Sequence, residues 1–188
     1  MKIFRSSHRF VTAGICLFGW LACAQSAESV ATAASEATSS PKLTLNDDGF
    51  FVVGFDLLAS FEFATPTYDA AGADGKPQVK KGPDQIPERI KALNEKKVMV
   101  TGFMLPIKME QGLVKEFLLV KDPMMCCYGI MPKINEWVVV RMTGKGVAPL
   151  MDIPIGFEGK LSVGELYDNG YLTGVYLLEG EKQAPKKG

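Results

Sequence analysis

Histidine is nearly missing from this chain. Its 188 residues hold one, His8, beside four cysteines and two tryptophans. No sign of charge dominates either: 21 basic residues face 21 acidic ones. A balanced chain has no electrostatic reason to seek nucleic acid, whose binding rests on neutralising phosphates. Long hydrophobic runs are lacking too. The apolar stretch from Val11 to Cys23 falls short of the roughly 20 residues that a membrane-spanning helix needs. There is no glycine-rich phosphate cradle, no paired-acid signature and no basic strip interleaved with aromatics. What remains is 47% hydrophobic and 22% charged, the composition of a globular protein with room for one domain.

The N-terminus indicates the compartment. Met1 to Phe10 carries Lys2, Arg5 and Arg9 and no acid, Val11 to Cys23 is apolar, and Ala22-Cys23-Ala24 places small residues where a signal peptidase reads. This is the three-part pattern of a secretory signal peptide over residues 1–24. Cys23 raises the alternative of a lipid anchor, against which Trp20 stands where lipoprotein signals carry a small aliphatic residue. The expectation is an exported, periplasmic protein, with a membrane tether as the variant and no spanning segment after cleavage. Cleavage takes Lys2, Arg5 and Arg9, so 21 basic residues less three leaves 18 against 21 acidic. It also takes His8, Cys16 and Cys23. A mature chain without histidine cannot form a Ser-His-Asp triad, a Cys-His dyad or a histidine-ligated metal site. An enzyme is therefore the least expected class.

Residues 25–45 read as a flexible leader, rich in Ala, Ser, Thr and Glu with no periodic apolar face. Residues 46–96 open on the turn signal Asn46-Asp47-Asp48-Gly49. Phe50 to Phe63 follows as a strand or a strand turning into a short helix. Ala64 to Pro87 is a loop punctuated by proline and glycine. Residues 86–94 suit one or two helical turns, with Pro87 at the first position and Ile86, Ile90 and Leu93 on one face. Residues 97–180 hold strands at Val98–Leu105, Val114–Val120, Trp137–Met142, one or two within Leu150–Gly164, and Leu172–Leu178 after the Asp168-Asn169-Gly170 turn. Short strands with close turn signals describe a mainly β domain. The expected fold is a small antiparallel barrel of five or six strands with one short helix, like the oligonucleotide/oligosaccharide-binding (OB) barrel; a small β-sandwich is the alternative. Gly102, Gly156, Gly159 and Gly174 sit where its strands must bend. Residues 181–188 read as a charged tail.

The unusual segment is Pro123-Met124-Met125-Cys126-Cys127-Tyr128-Gly129-Ile130-Met131-Pro132. Pro123, Gly129, Pro132 and Asn135 shape this loop, and its cysteines are the two that survive export. Four readings stay open. Both thiols pack as small hydrophobes, although neighbours on a strand face opposite ways. They join as a strained vicinal disulfide in an oxidising compartment. They ligate a soft metal with Met124, Met125 and Met131: Cu(I) suits thiolate and thioether, while zinc needs two further ligands such as Glu136 or a partner's. Or one is a catalytic thiol activated by Lys121 or Lys133. Nearby, Asn135 is expected to bond its own backbone, Glu136 to be exposed and Trp137 to be core.

An ordered series of motifs runs through this region: Val100-Thr101-Gly102-Phe103-Met104-Leu105-Pro106, Glu116-Phe117-Leu118-Leu119, Cys126-Cys127-Tyr128-Gly129, Pro132, Asn135-Glu136-Trp137-Val138, Glu158-Gly159-Lys160-Leu161, and Gly170-Tyr171 to Leu177. In this series the chain resembles, over about residues 85 to 180, the bacterial exported family of domain of unknown function three-two-nine-nine. The resemblance implies an accessory role at the cell envelope, beside metal-handling proteins and components of an ABC-type transporter. The function expected is thus that of an exported binding protein of the envelope. The alternative is a thiol-dependent soft-metal binder or redox switch built on Cys126 and Cys127. No cofactor is required; Cu(I) or zinc is the candidate. The partner expected is a transporter component, with no nucleic acid.

Overall fold

The computed structural model describes residues 43–69, 76–80, 82–123 and 132–185. From Lys96 onward, alternation of apolar and polar residues sets the strands. In β5 (Lys96–Glu110) Val98, Val100 and Met104 are buried, while Met99, Thr101 and Phe103 face the other way, the period of two that a pleated strand imposes. A turn with positive φ at Gln111 and Gly112 leads into β6 (Leu113–Val120). Then come β7 (Trp137–Met142), β8 (Ile155–Asp168) and β9 (Tyr171–Gln183). Asn169 and Gly170 join the last two with φ of 49° and 87°, the Asn-Gly hairpin turn that the sequence announces.

Strand β5 has two partners in succession. Lys96 to Gly102 pair with β8, and Phe103 to Glu110 pair with β6. Strand β6 pairs with β7, β7 with β9 and β9 with β8, so five strands form a near-closed ring. Gly102 stands at the handover. A Cβ there would lie 2.7 Å from the Val120 carbonyl and 3.0 Å from the Phe55 ring. Two more strands, β1 (Thr44–Leu45) and β2 (Phe51–Val53), extend the sheet along the free edge of β5.

The result is a seven-stranded mixed sheet, mainly β as expected but not purely antiparallel. The pairs β2–β5 and β7–β9 are parallel. Alternation reports which face a residue takes and not the direction of its neighbour, so these parallel pairings leave no mark in the pattern of residues. The ring strands belong to one hydrogen-bonded sheet, not to the two facing sheets of a sandwich. Among the described residues two short helices appear where one was expected: α1 (Phe55–Leu58) and α2 (Glu88–Lys91). Four-residue helices have no stability of their own. They hold because Phe55, Leu58 and Ile90 are buried in the core, at roughly 1.5–3 kcal/mol for each such side chain. Tyr176 reaches from β9 to donate to the Leu58 carbonyl at 2.8 Å, and burial pushes its phenol far up. The expected loop at 64–87 contains a hairpin, β3 (Thr67–Asp69) with β4 (Gln78–Lys80). Residues 181–183, read as tail, are the end of β9, paired to β8. Among the described residues no helix is long and apolar enough to cross a membrane.

One carboxylate is sealed inside this sheet. Glu158 is fully buried on the opposite face of β8 from Phe157. Asn46 Nδ2 donates to its Oε1 at 2.6 Å. Its Oε2 accepts no aligned hydrogen bond among the described residues, and the ammonium of Lys182 balances it from 3.2 Å. Lys182 also holds Asp48 at 2.7 Å, and the two acids keep its ammonium above the usual lysine range. The side-chain oxygen of Asn46 accepts from Asp48 and Phe50. The 46–49 turn is thereby fastened onto β8.

Removing Asn46 strips the donor from a buried carboxylate oxygen. Asn46→Ala is expected to lower the unfolding free energy by about 1.5–3 kcal/mol, the range for a hydrogen bond to a charged group. In a Glu158→Ala background the same substitution is expected to cost less than about 0.5 kcal/mol, because the pair acts as a unit. Urea unfolding of the four proteins of the cycle checks this. Equal costs in both backgrounds would deny the coupling.

Candidate functional site

Of the residues selected from the sequence, Met124, Met125, Cys126, Cys127, Gly129 and Met131 lie outside the described residues. Pro123, Pro132 and Asn135 lie within them, at the ends of that segment. The two ends are tied together. Lys121 donates its N–H to the Glu136 carbonyl at 3.1 Å, and Glu136 donates to the Lys133 carbonyl at 2.8 Å. The Glu136 carboxylate accepts the Lys133 N–H at 2.9 Å and lies 3.6 Å from Lys121 Nζ. Glu136 is accordingly mostly covered, not exposed: its side chain keeps 13% of its surface. Asn135 does not bond its own loop. It is fully buried, and its Nδ2 donates to the Phe61 carbonyl at 2.6 Å. Lys133 reaches Glu62 at 2.6 Å, and that carboxylate keeps its ammonium above the usual range. The neck of the cysteine segment is thus fixed to the chain that follows α1. Among the described residues no three His, Cys, Asp or Glu side chains cluster to hold a metal.

A second feature went unselected. The outer faces of β6, β7 and β9 carry Leu118, Val139 and Leu177 directly opposite one another. Their chain neighbours Phe117, Val138 and Leu178 fill the core. An apolar row on the outer face of a sheet is unusual where solvent contact favours polar residues. Here it floors a groove with a cavity volume of about 550 Å³. One end holds the Glu116–Arg141 ion pair at 3.2 Å, with Ile107 beside it.

The far wall is the outer part of the β8–β9 hairpin, with Glu165, Leu166, Tyr167 and Asp168. The β8–β9 register shifts between Val163 and Leu166 and again before Tyr167. Such bulges re-aim side chains. The Tyr167 hydroxyl donates to Glu165 at 2.7 Å. The β3–β4 hairpin braces this wall: Leu172 N–H donates to the Tyr68 hydroxyl at 2.8 Å, and the Tyr68 and Tyr171 rings lie 5.3 Å apart.

Trp137, expected in the core, is half-buried: it packs against the core cluster and is also tied to the groove. Its indole N–H donates to the Thr173 carbonyl at 3.0 Å, and Thr173 lines the groove. Gly174 makes the space, since a Cβ there would meet Trp137, Val139 and Leu166 at 3.3–3.6 Å. The signal that reveals this site is the apolar outward set of β6 and β7, legible once the faces of the strands are assigned.

A larger cleft of about 660 Å³ opens on another side, lined by Val52, Met99, Leu150, Ile153 and the segment from Gln183 to Pro185. Among the described residues no charged side chain lines it. Binding sites combine an apolar surface with a few convergent polar groups, and the groove has both.

Comparison with known proteins adds two findings. The family model described as "Protein of unknown function (DUF3299)" matches residues 64–184. A crystal structure of a DUF3299 family protein from Pseudomonas aeruginosa PAO1 aligns with 73% of this chain and 97% of its own, at 21% identity and a TM-score of 0.46. Among curated proteins none matches the sequence.

Burial, and then the hydrogen bond to the Glu165 carboxylate, push the Tyr167 phenol up to about 12. Both penalise the phenolate, so the hydroxyl stays a donor through neutral pH. In an NMR titration of ring-labelled tyrosine, Tyr167 is expected to ionise near 12. Glu165→Gln is expected to move it toward the ordinary value of about 10. An unchanged midpoint would break the assigned pair.

Proposed function

The chain belongs to the DUF3299 family, and from that premise we propose that it is an exported binding protein of the cell envelope, holding a small ligand in the groove over β6, β7 and β9. The observation that carries the reading is the groove itself, an apolar floor set between two polar ends. We read the near-closed ring as a five-stranded barrel of the OB type. Counting β5 to β9 as first to fifth, the order around the ring is first, second, third, fifth, fourth. In OB barrels ligands lie across the second and third strands and the loops beside them. Here those strands are β6 and β7, whose outer faces floor the groove. The signal pattern of residues 1–24 supports periplasmic delivery. The absence of histidine after residue 24 favours binding over catalysis. An envelope transporter component remains the proposed partner, on the family resemblance.

Trp137 is the one tryptophan beyond residue 24, so its fluorescence reports on the groove. A library of small amphiphiles is expected to yield compounds that change this emission. Leu177→Asp, which places a charge in the floor, is expected to weaken them at least tenfold, and Leu150→Asp in the other cleft to leave them unchanged. The reverse pattern would move the site to that cleft.

A second reading has its own support in the tied neck at Lys121, Lys133 and Glu136, which mounts the cysteine segment on a fixed base. On this reading Cys126 and Cys127, with Met124, Met125 and Met131, act as a redox pair or take Cu(I), with zinc as the weaker fit. Intact mass after alkylation under denaturing conditions decides its form. Two additions without reductant mean free thiols, after which Cu(I) should bind tighter than about micromolar. Additions only after reduction mean a disulfide and remove the metal version.

A further inference from the structure

Resting on the groove as a ligand site, we propose that its occupant is a small organic cation: a primary ammonium carried on an unbranched aliphatic body. The body follows from the floor. Leu118, Val139 and Leu177 stand in register across three strands, and Ile107 and Leu166 continue the apolar surface toward the two ends. A volume of about 550 Å³ matches a small molecule and not a folded partner.

The charge follows from the walls. Among the described residues the ionisable lining consists of Glu116, Arg141, Glu165, Tyr167 and Asp168. Arg141 is already engaged by Glu116 at 3.2 Å. Glu165 and Asp168 form no ion pair among the described residues; each accepts from a neutral donor, the Tyr167 hydroxyl at 2.7 Å and Asn169 Nδ2 at 3.3 Å. The groove therefore offers acceptors and net negative charge at the hairpin end, which repels a carboxylate or phosphate and attracts a cation.

The kind of cation follows from what the walls are made of. A quaternary ammonium is recognised by a cage of aromatic faces, and among the described residues Tyr167 is the one aromatic in the lining. Two carboxylates instead suit a head that donates hydrogen bonds, as a primary ammonium does. The Tyr167 hydroxyl donates to Glu165 at 2.7 Å, so the phenol orients the carboxylate without neutralising it.

The test uses three probes with the same six-carbon body, hexylammonium, hexanoate and hexanol, titrated into the purified exported chain at neutral pH. Amide spectra locate the site and calorimetry gives the affinity. Hexylammonium is expected to shift amides of residues 116–118, 139–141 and 165–168 and to bind at least tenfold tighter than hexanol. Glu165→Gln with Asp168→Asn is expected to erase that tenfold while hexanol binding stays. If hexanoate or hexanol binds the groove as tightly as hexylammonium, the cation assignment is overturned and the groove remains a binding site. If no probe shifts these residues, both the assignment and the groove reading fall. Should the double variant unfold, the three-probe comparison on the natural chain decides alone.

Discussion

The whole arrangement depends on β5 changing partners at Gly102. One strand must serve β8 with its first half and β6 with its second, and it can do so only if its backbone passes close to β6 at the handover. The space of a hydrogen atom is all that the Val120 carbonyl leaves there. Once the switch is made, β8 cannot stay beside β6. It lies on the other side of the ring, and β9 returns from it alongside β7 in parallel. The groove is a consequence. The outer part of the β8–β9 hairpin overhangs the face of β6 and β7 because the ring has closed beneath it.

Two buried polar side chains hold the periphery to this ring. Glu158 fastens the turn that precedes β2, and Asn135 fastens the neck of the cysteine segment to the chain after α1. Burying a carboxylate or an amide is costly unless its partners are in place. Each makes one hydrogen bond that fixes a position, Asn46 to Glu158 Oε1 and Asn135 Nδ2 to the Phe61 carbonyl, while Asn135 Oδ1 and Glu158 Oε2 accept no hydrogen bond among the described residues. Apolar packing of α1 and α2 supplies stability but does not select position to the same degree. The groove wall is held more lightly, by one tyrosine hydroxyl and a ring contact from the β3–β4 hairpin.

Much of this was legible in the residues. Strand β7 runs over the six residues that alternation and β-branching select, and Asn169-Gly170 makes the turn its chemistry demands. Gly102 and Gly174 do mark places where strands crowd. The parallel pairings were not legible, because face alternation is blind to direction. The β3–β4 hairpin hid among prolines and glycines, since its three-residue strands take their support from the β8–β9 turn. Asn135 looked like a loop-end residue because its partner lies 74 residues away. The size of Trp137 points to the core, and it does pack against the core cluster, but at the first position of β7 it is only half-buried and lies beside Gly174. The groove escaped notice because it requires knowing which strands adjoin. The cysteine segment, the strongest chemical signal in the sequence, lies outside the described residues, and only its neck bears on the account.

Cross-strand amide and methyl contacts measured by NMR test the central claim most directly, because ring closure and groove stand together. The account predicts contacts from Lys96–Gly102 to β8 and from Phe103–Glu110 to β6 in the same molecule. It also predicts methyl contacts between Leu166 and Val139 across the groove. A spectrum with the β5–β6 contacts but without those from β5 to β8 would describe an open sheet. The wall would then not stand over the floor, and the proposed site would not exist.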